Sequence, residues 1–589
     1  MNNIIPPAAI FILGGLVIPL LRGRLKTTWM LFLTVAGFIN LLQMDPGIHW
    51  SINFLDLELI PFRADRLSMI FGYIFHIISF IAIIYIMHVK NNVEYVAGFL
   101  YAGAALGVIF AGDLFTFFAF WEMLTVTSVM LIWQRKTREA LAAGFRYFMM
   151  HALGGLVLFA GIILYVSEQG SLEFGYIGLE GLGSHLIFIG IGLNCAWPVL
   201  HSWLTDAYPE ATIGGTVFLS AFTTKTAVYA LARAYPGAEI LIWIGVAMAA
   251  FPIFYAVIEN DLRRVLAYSL INQVGFMVVG IGIGTHLAIN GAIAHAFNDI
   301  VFKALLFMSV GAVMYRTGTA KATSLGGLYK SMPLTAFFCI VGAASISAFP
   351  LFSGFVSKSM VMEAAAHGHM SLVWLVLLFA SAGVFHHAGI KIPYFAFYSH
   401  DAGYRVKEAP TNMLIAMGIA AFLCIFNGSS PGLLYSLLPY QDVVYEPYSI
   451  SHVISQSQLL FFSALAFALL LLAGIYPAEI RAVNLDTDWL YRKGGKAFYA
   501  LADRVSNGVN AVCGRVFLDR IPSLLTGFAR NGPAHLSWLI LSPLWIFLQA
   551  EKRKALRTTL YHSLQNEFLT FGLMFGIVST YFFIVLSMV

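Results

Sequence analysis

The chain has 589 residues, 59% of them hydrophobic and only 11% charged, with a formal charge of +5. Soluble domains run at roughly a quarter charged residues, so this composition excludes a soluble enzyme and indicates a polytopic membrane protein. The apolar runs are long and helical in character, which excludes a β-barrel of short strands with alternating polarity.

In chain order, windows of spanning length fall at 4–21, 27–44, 67–89, 95–112, 114–134, 141–166, 184–204, 213–234, 239–258, 265–285, 288–315, 332–364, 371–399, 411–436, 456–477 and 566–588. At about 20 residues per span this predicts an all-α membrane protein with roughly 16 transmembrane helices, although 332–364 is too long for one straight span. Three regions separate. Residues 1–66 hold two spans and a polar outer loop, and 67–437 form a dense core with nearly all the intramembrane charge. Residues 438–589 are a looser extension with one span, a mixed stretch and a final span. Within that stretch, 536-LSWLILSPLWIFLQAEKRKALR-557 joins a short apolar block to a basic cluster. Such a segment suits lateral amphipathic helices lying along the interface better than a crossing.

The positive charges occupy alternate loops, at 22-RGRLK-26, 134-QRKTRE-139, 263-RR-264, 316-RTGTAKATSLGGLYK-330 and 405-RVK-407, while 167-SEQGSLEFGYIGLEGLG-183 is acidic. This positive-inside pattern places both termini on the non-cytoplasmic side of a cell (inner) membrane. The basic residues therefore set topology in a lipid bilayer, and no nucleic acid is expected as a partner. Cys195, Cys339, Cys424 and Cys513 are scattered with no C-x-x-C pair, which argues against iron–sulfur, zinc or disulfide frameworks. No cofactor or metal is expected in this chain. The first apolar segment lacks a basic leader and a small-residue cleavage site, so it reads as an uncleaved span.

Two segments break in the middle with comparable punctuation. They are 194-NCAWPVLHSWLTDAYPEA-211 with Pro198, and 346-ISAFPLFSGFVSKSM-360 with Pro350 and Gly354. They lie about 150 residues and five spans apart, so the two halves are inverted in the membrane. Paired broken helices mark an ion path, because unwound backbone in a bilayer must line a polar cavity or be buried in protein.

Intramembrane ionisable groups are costly and are functional candidates by default. Glu122 lies near the middle of 113-DLFTFFAFWEMLTVTSVMLIW-133, and Lys225 is equally central in 216-TVFLSAFTTKTAVYALAR-233. A Glu122–Lys225 pair across two helices would lower both desolvation costs and act as a switch. In 295-HAFNDIVFKALLF-307 the residues His295, Asp299 and Lys303 recur every four positions and share one helix face, forming a stripe that could hand protons along the helix. Lys358, just after the break at Gly354, and Lys391, beside His386 and His387, extend the series. His201 and Asp206 shape the first broken helix and help load protons, whereas Glu363, His76 and His151 read as structural. Gly280, Gly282 and Gly284 end a membrane segment with no preceding strand, so close packing is expected there and not a dinucleotide loop. No H-E-x-x-H, G-x-S-x-G or P-loop occurs, and whether the chain is part of an enzyme is left open.

The motifs 65-DRLSMIF-71, 113-DLFTFFAFWEML-124, 198-PVLHSWLTDAYPEA-211, 219-LSAFTTKTAVYAL-231, 261-DLRRVLAYSLINQVGF-276, 295-HAFNDIVFKALLF-307 and 349-FPLFSGFVSKS-359 resemble the proton-translocating antiporter-like family. That family is shared by the ion-translocating subunits of Mrp-type sodium/proton antiporters and the membrane arm of respiratory complex I. The resemblance implies a fourteen-helix core with two inverted five-helix repeats, each containing a broken helix. It makes Glu122 the channel glutamate, Lys225 the lysine of the first repeat, Lys303 the central lysine and Lys358 the terminal one. Two positions depart from the pattern. Asn194 stands where the family usually has a lysine, and Asp299 where it often has a histidine. The first departure leaves Lys225 to serve Glu122, and the second pairs an acid with Lys303 and favours admission of Na⁺. The extension resembles the arm by which longer members clasp neighbouring subunits. By this resemblance the chain is expected to be a subunit of a multisubunit Na⁺/proton antiporter, with other membrane subunits as partners. The alternatives are the proton-pumping membrane subunit of a complex I-like NADH:quinone oxidoreductase or membrane-bound hydrogenase, and the membrane subunit of an inorganic-carbon uptake complex.

Overall fold

The computed structural model describes residues 5–54, 57–477, 480, 484–567, 579–580 and 583. Helix starts in the core carry side-chain caps that satisfy the first free N–H groups. Asp65 and Ser68 form a reciprocal capping box ahead of Arg66–Ile86. Asp113, Thr137, Asp261 and Thr285 cap Leu114–Trp133, Arg138–Gln169, Leu262–Ile283 and His286–Thr317. Gly170, Gly284 and Gly318 close three of these helices in the left-handed conformation that glycine adopts without penalty.

Eleven helices among the described residues are long and apolar enough to cross a membrane, and Pro7–Leu20, Gly181–Asn194 and Pro333–Ile346 are shorter apolar helices. The expected figure of sixteen is not reached. The 332–364 window is two helices, Pro333–Ile346 and Ser353–His367, separated by an unwound turn. The 566–588 window and the placement of the C-terminus lie almost wholly outside the described residues. The polar outer loop contains a β-hairpin, Gly47–Phe54 paired antiparallel with Leu57–Ala64, which the helical expectation did not include.

The repeat is visible element by element. Arg138–Gln169 and His286–Thr317 are both 32 residues long, and Gly181–Asn194 and Pro333–Ile346 are both 14. At the breaks, Ala196 (φ 60°) and Val199 (φ 73°) have counterparts in Ala348 (φ 59°) and Leu351 (φ 73°). The shared local sequence is Ala, an aromatic residue, proline and an aliphatic residue. Proline denies the helix a donor, and the two flanking left-handed residues turn the chain out of the helix axis.

The loops join into two opposed faces. On the basic face Arg135 binds the Pro209 carbonyl at 2.7 Å and Glu210 at 3.0 Å, and Arg263 donates to the same carbonyl at 2.7 Å. Arg316 donates to the Glu408 carbonyl at 2.9 Å. On the opposite face Arg63 meets Glu173 at 3.1 Å, and Arg233 meets Asp65 at 2.6 Å. The alternation of basic loops along the sequence is thus an alternation of faces in space.

Two compact units form, Met1–Thr487 and Asp488–Val589, so the Ile450–Leu472 helix belongs to the first. In the second, the amphipathic helix Asp488–Cys513 continues through Gly514–Arg520 into Ile521–Leu541. Ala550–Glu567 folds back on it, with the Arg557 guanidinium 5.3 Å from the Trp538 ring centre.

Candidate functional site: a buried polar axis

The most enclosed part of the molecule is also its most highly charged. Lys225, His295, Asp299, Lys303, Lys358 and Lys391 all have 0–1% of their surface exposed, although charged groups are almost never fully buried unless paired. Lys225 sits in the first turn of Thr223–Ala234, just past an irregular residue, Phe222, that separates it from Ile213–Ala221. The lysine donates to the Ser220 carbonyl at 3.1 Å, and its Nζ lies 2.6 Å from Asp299 Oδ2. The carboxylate oxygens make no aligned hydrogen bond, so charge and not directional bonding carries this contact.

This replaces two expected pairings. Among the described residues no ion pair joins Glu122 to Lys225, and Asp299 takes Lys225 as its close partner, while Lys303 donates to Ser269 Oγ at 2.7 Å. The helix rotations decide it: Lys225 of the first repeat points at the His286–Thr317 helix of the second. The departure at Asp299 therefore bridges the two halves.

Glu122 is half-buried on Leu114–Trp133, and its Oε1 is enclosed without a hydrogen-bond partner. It lies against Gly155 of Arg138–Gln169, where a Cβ would come within 1.9 Å of Oε1. Only glycine leaves room for the carboxylate there. At the second departure, Asn194, the side-chain Oδ1 accepts from His151 Nδ1 at 2.8 Å. His151 and Asn194 thus form their own buried contact at the end of the helix before the first break.

His295 is held at both ring nitrogens, by Ser357 Oγ at 3.1 Å on Nδ1 and by Gln273 Oε1 at 3.2 Å on Nε2. Gln273 Nε2 donates to Asn272 Oδ1, which fixes the amide orientation. An amide oxygen only accepts, so Nε2 carries the hydrogen and Nδ1 accepts from the Ser357 hydroxyl. Ser357 lies one residue from Lys358, which donates to the Ile346 carbonyl at 2.9 Å. That carbonyl is freed by the break, and Lys358 therefore fills the unwound turn. Gly354 has no left-handed role: a Cβ on it would strike the Ser345 carbonyl oxygen at 1.9 Å, so it permits the close crossing of the two half-helices. Pro198 and Pro350 stand inside the breaks, as expected.

Lys391 donates to the carbonyls of Ala256, Val257 and Glu259 at 3.2, 2.7 and 2.7 Å. It therefore caps the C-terminal end of Ile240–Ile258, where cations are favoured by the helix dipole. Asp206 is clamped by Arg146 through bonds of 2.7 and 3.0 Å. His201, buried beyond the first break, points Nε2 at Asp486, 3.1 Å from Oδ1. Sequence reading did not single out Asp486, Ser269, Gln273 or Ser357. The serines and glutamine had a usable signal, since each falls on the inward face of a helix already marked by charge. Asp486 had none.

The axis combines groups that exchange protons with hydroxyls and amides that donate and accept. That is the material of a hydrogen-bonded relay, with charge pairs whose opening and closing shift the neighbouring groups.

Residues 111–385 match the family described as NADH:quinone oxidoreductase/Mrp antiporter, transmembrane region. The chain is 25% identical to hydrogenase-4 component B of Escherichia coli over 72% of its own length and 71% of that protein. It is 27% identical to a Na(+)/H(+) antiporter subunit of Alkalihalophilus pseudofirmus over 70% of its own length and 58% of that protein. Its fold is similar to a chain of the Mrp complex from a Dietzia species, with a TM-score of 0.65 at 20% identity, covering 73% of this chain and 96% of that one. The chain therefore carries, across both of its broken helices, the membrane region that defines the NADH:quinone oxidoreductase/Mrp antiporter family.

Proposed function

We propose that this chain is the proton-translocating subunit of a multisubunit monovalent cation/proton antiporter, with Na⁺ as the coupled ion. The observation that carries the reading is the Lys225–Asp299 contact, a buried ion pair joining the first repeat to the second. Protons move between Glu122 and Lys225 in the first half and along Asp299, Lys303, His295 and Lys358 in the second. Opening the Lys225–Asp299 pair changes the charge felt by both halves at once. His201 loads the first half, and Lys391 closes the far end of the row. The similarity to a chain of an Mrp complex and to an antiporter subunit supports this reading, and partner subunits in the membrane follow from it. A second reading, the pumping subunit of a redox complex, is favoured by the similarity to hydrogenase-4 component B over 71% of that protein.

The test is purification of the tagged chain from its native membrane with its partners, followed by Na⁺-dependent proton flux in vesicles. Glu122→Gln and Lys303→Ala are expected to abolish flux in assembled complex. Unchanged flux in both variants would show that the chain is a scaffold. Flavin or iron–sulfur partners would assign it to a redox complex instead.

A further inference from the structure

Beyond the axis, one buried contact links parts of the chain 285 residues apart. His201 is 2% exposed, and its Nε2 lies 3.1 and 3.3 Å from the two carboxylate oxygens of Asp486. Tyr268 donates its hydroxyl to Asp486 Oδ2 at 2.6 Å, and the Thr487 N–H donates to Oδ1 at 2.6 Å. The preceding residue but one, Asn484, donates to Glu259 Oε2 at 3.0 Å. A carboxylate only accepts, so the hydrogen of the neutral His201 ring sits on Nε2. Its Nδ1 is then a bare acceptor, and it is buried without a partner. Phe251 covers the ring with centroids 4.6 Å apart.

We propose that Asp486 is a positioning residue for proton uptake at His201: it fixes the ring with Nδ1 open, so that a proton arriving from the basic face adds there. The inference rests on the proton-translocating function proposed above and deepens it. On uptake the ring becomes an imidazolium with Nε2–H still on Asp486, and the proton taken at Nδ1 leaves from Nδ1. The carboxylate favours the charged ring, as an orienting acid does in other histidine dyads. Asp486 itself stays ionised. Burial pushes its carboxyl up, but the His201 imidazole and the Tyr268 hydroxyl outweigh that and hold it below the usual carboxylate range. The other titratable groups around the pair are Tyr255, stacked on Tyr268 at 5.2 Å, Glu259 with Arg264 at 4.0 Å, and the clamped Asp206 and Arg146. Asp486 comes from the short stretch that leads into the second unit. The C-terminal part of the chain thus supplies a residue to the first repeat.

The experiment measures proton flux against pH in the assembled complex for the wild type, Asp486→Asn, Asp486→Glu and Tyr268→Phe. It is paired with infrared titration of the histidine ring bands, using His201→Gln to assign them. Asp486→Asn is expected to reduce flux about tenfold at neutral pH and to move the acid limb of the profile down by about one pH unit. Asp486→Glu restores both. Tyr268→Phe removes a donor from the carboxylate and moves the limb the other way. A wild-type profile in Asp486→Asn, or failure of glutamate to rescue, overturns the proposal. If Asp486→Asn does not assemble, an unmoved limb in Tyr268→Phe overturns it. If the wild type moves no protons, the functional reading fails. The infrared shift of the His201 band in Asp486→Asn then still decides whether Asp486 governs that ring.

Discussion

Lys225 and Asp299 meet at 2.6 Å with both side chains fully buried, one from each repeat. Removing one partner of such a pair leaves a buried charge, at a cost of about 3–5 kcal/mol, whereas replacing both by apolar groups is far milder. Lys225→Met and Asp299→Leu should each lower the thermal midpoint of the detergent-purified protein sharply, and the double variant should recover most of the loss. Proton flux should be lost in all three. Additive losses in the double variant would show that the two groups do not stabilise one another.

Gly155 makes a second prediction. A Cβ there falls 1.9 Å from Glu122 Oε1, while the neighbouring Gly154 would meet only Leu193 side-chain atoms at 3.2 Å. Gly155→Ala should displace the carboxylate and lower flux by about tenfold or more, the scale of a misplaced reacting group. Gly154→Ala serves as the control, with flux close to wild type. Equal flux in both would place Glu122 outside the path.

Lys391 holds three carbonyls at the end of Ile240–Ile258. Lys391→Met should cost about 1–3 kcal/mol, the penalty for unsatisfied buried polar groups. Hydrogen exchange should rise in the last turns of that helix before it rises elsewhere. Exchange that stays at the wild-type rate there would mean that the cap does not hold the helix end.

Asp65 caps Arg66–Ile86 and binds Arg233 at 2.6 Å on the face with the hairpin. Burial raises its carboxyl, but the Arg233 charge and the Ser68 N–H outweigh this and hold it below the usual value of 3.8. A depressed carboxylate stabilises the fold above the unfolded value, and that contribution is lost as pH falls through the folded one. Asp65→Ala should therefore cost about 1–2 kcal/mol at pH 7 and at pH 5. The difference from wild type should shrink in melts below about pH 4. A gap that persists undiminished at pH 3 would assign the effect to packing.

Much of the architecture is legible in the residues. Helix lengths, the alternation of basic loops and the prolines at 198 and 350 depend on local composition, and local composition is what a bilayer constrains most. Partner choice is different. Lys225 was within reach of either Glu122 or Asp299 as far as depth in the membrane could tell, and rotation of the helices about their axes decides between them. Lys391 reads as one more relay group until the carbonyls of Ile240–Ile258 are placed around it. Asp486 is invisible because nothing near it in the sequence marks it, and its meaning comes from a histidine 285 residues earlier. The hairpin at Gly47–Ala64 lies outside the membrane windows, where hydropathy carries no instruction.

The two breaks share left-handed residues at matching places, Ala196 and Val199 in one and Ala348 and Leu351 in the other. None is glycine, so each holds a conformation that costs about 1–2 kcal/mol for an ordinary residue. Two hinges of the same backbone stiffness, set upside down to one another, give the membrane no preferred direction. Direction has to come from side chains that break the symmetry. Eight residues beyond Pro198 stands Asp206, and eight beyond Pro350 stands Lys358. Opposite signs on matched hinges turn a reversible frame into one with a front and a back.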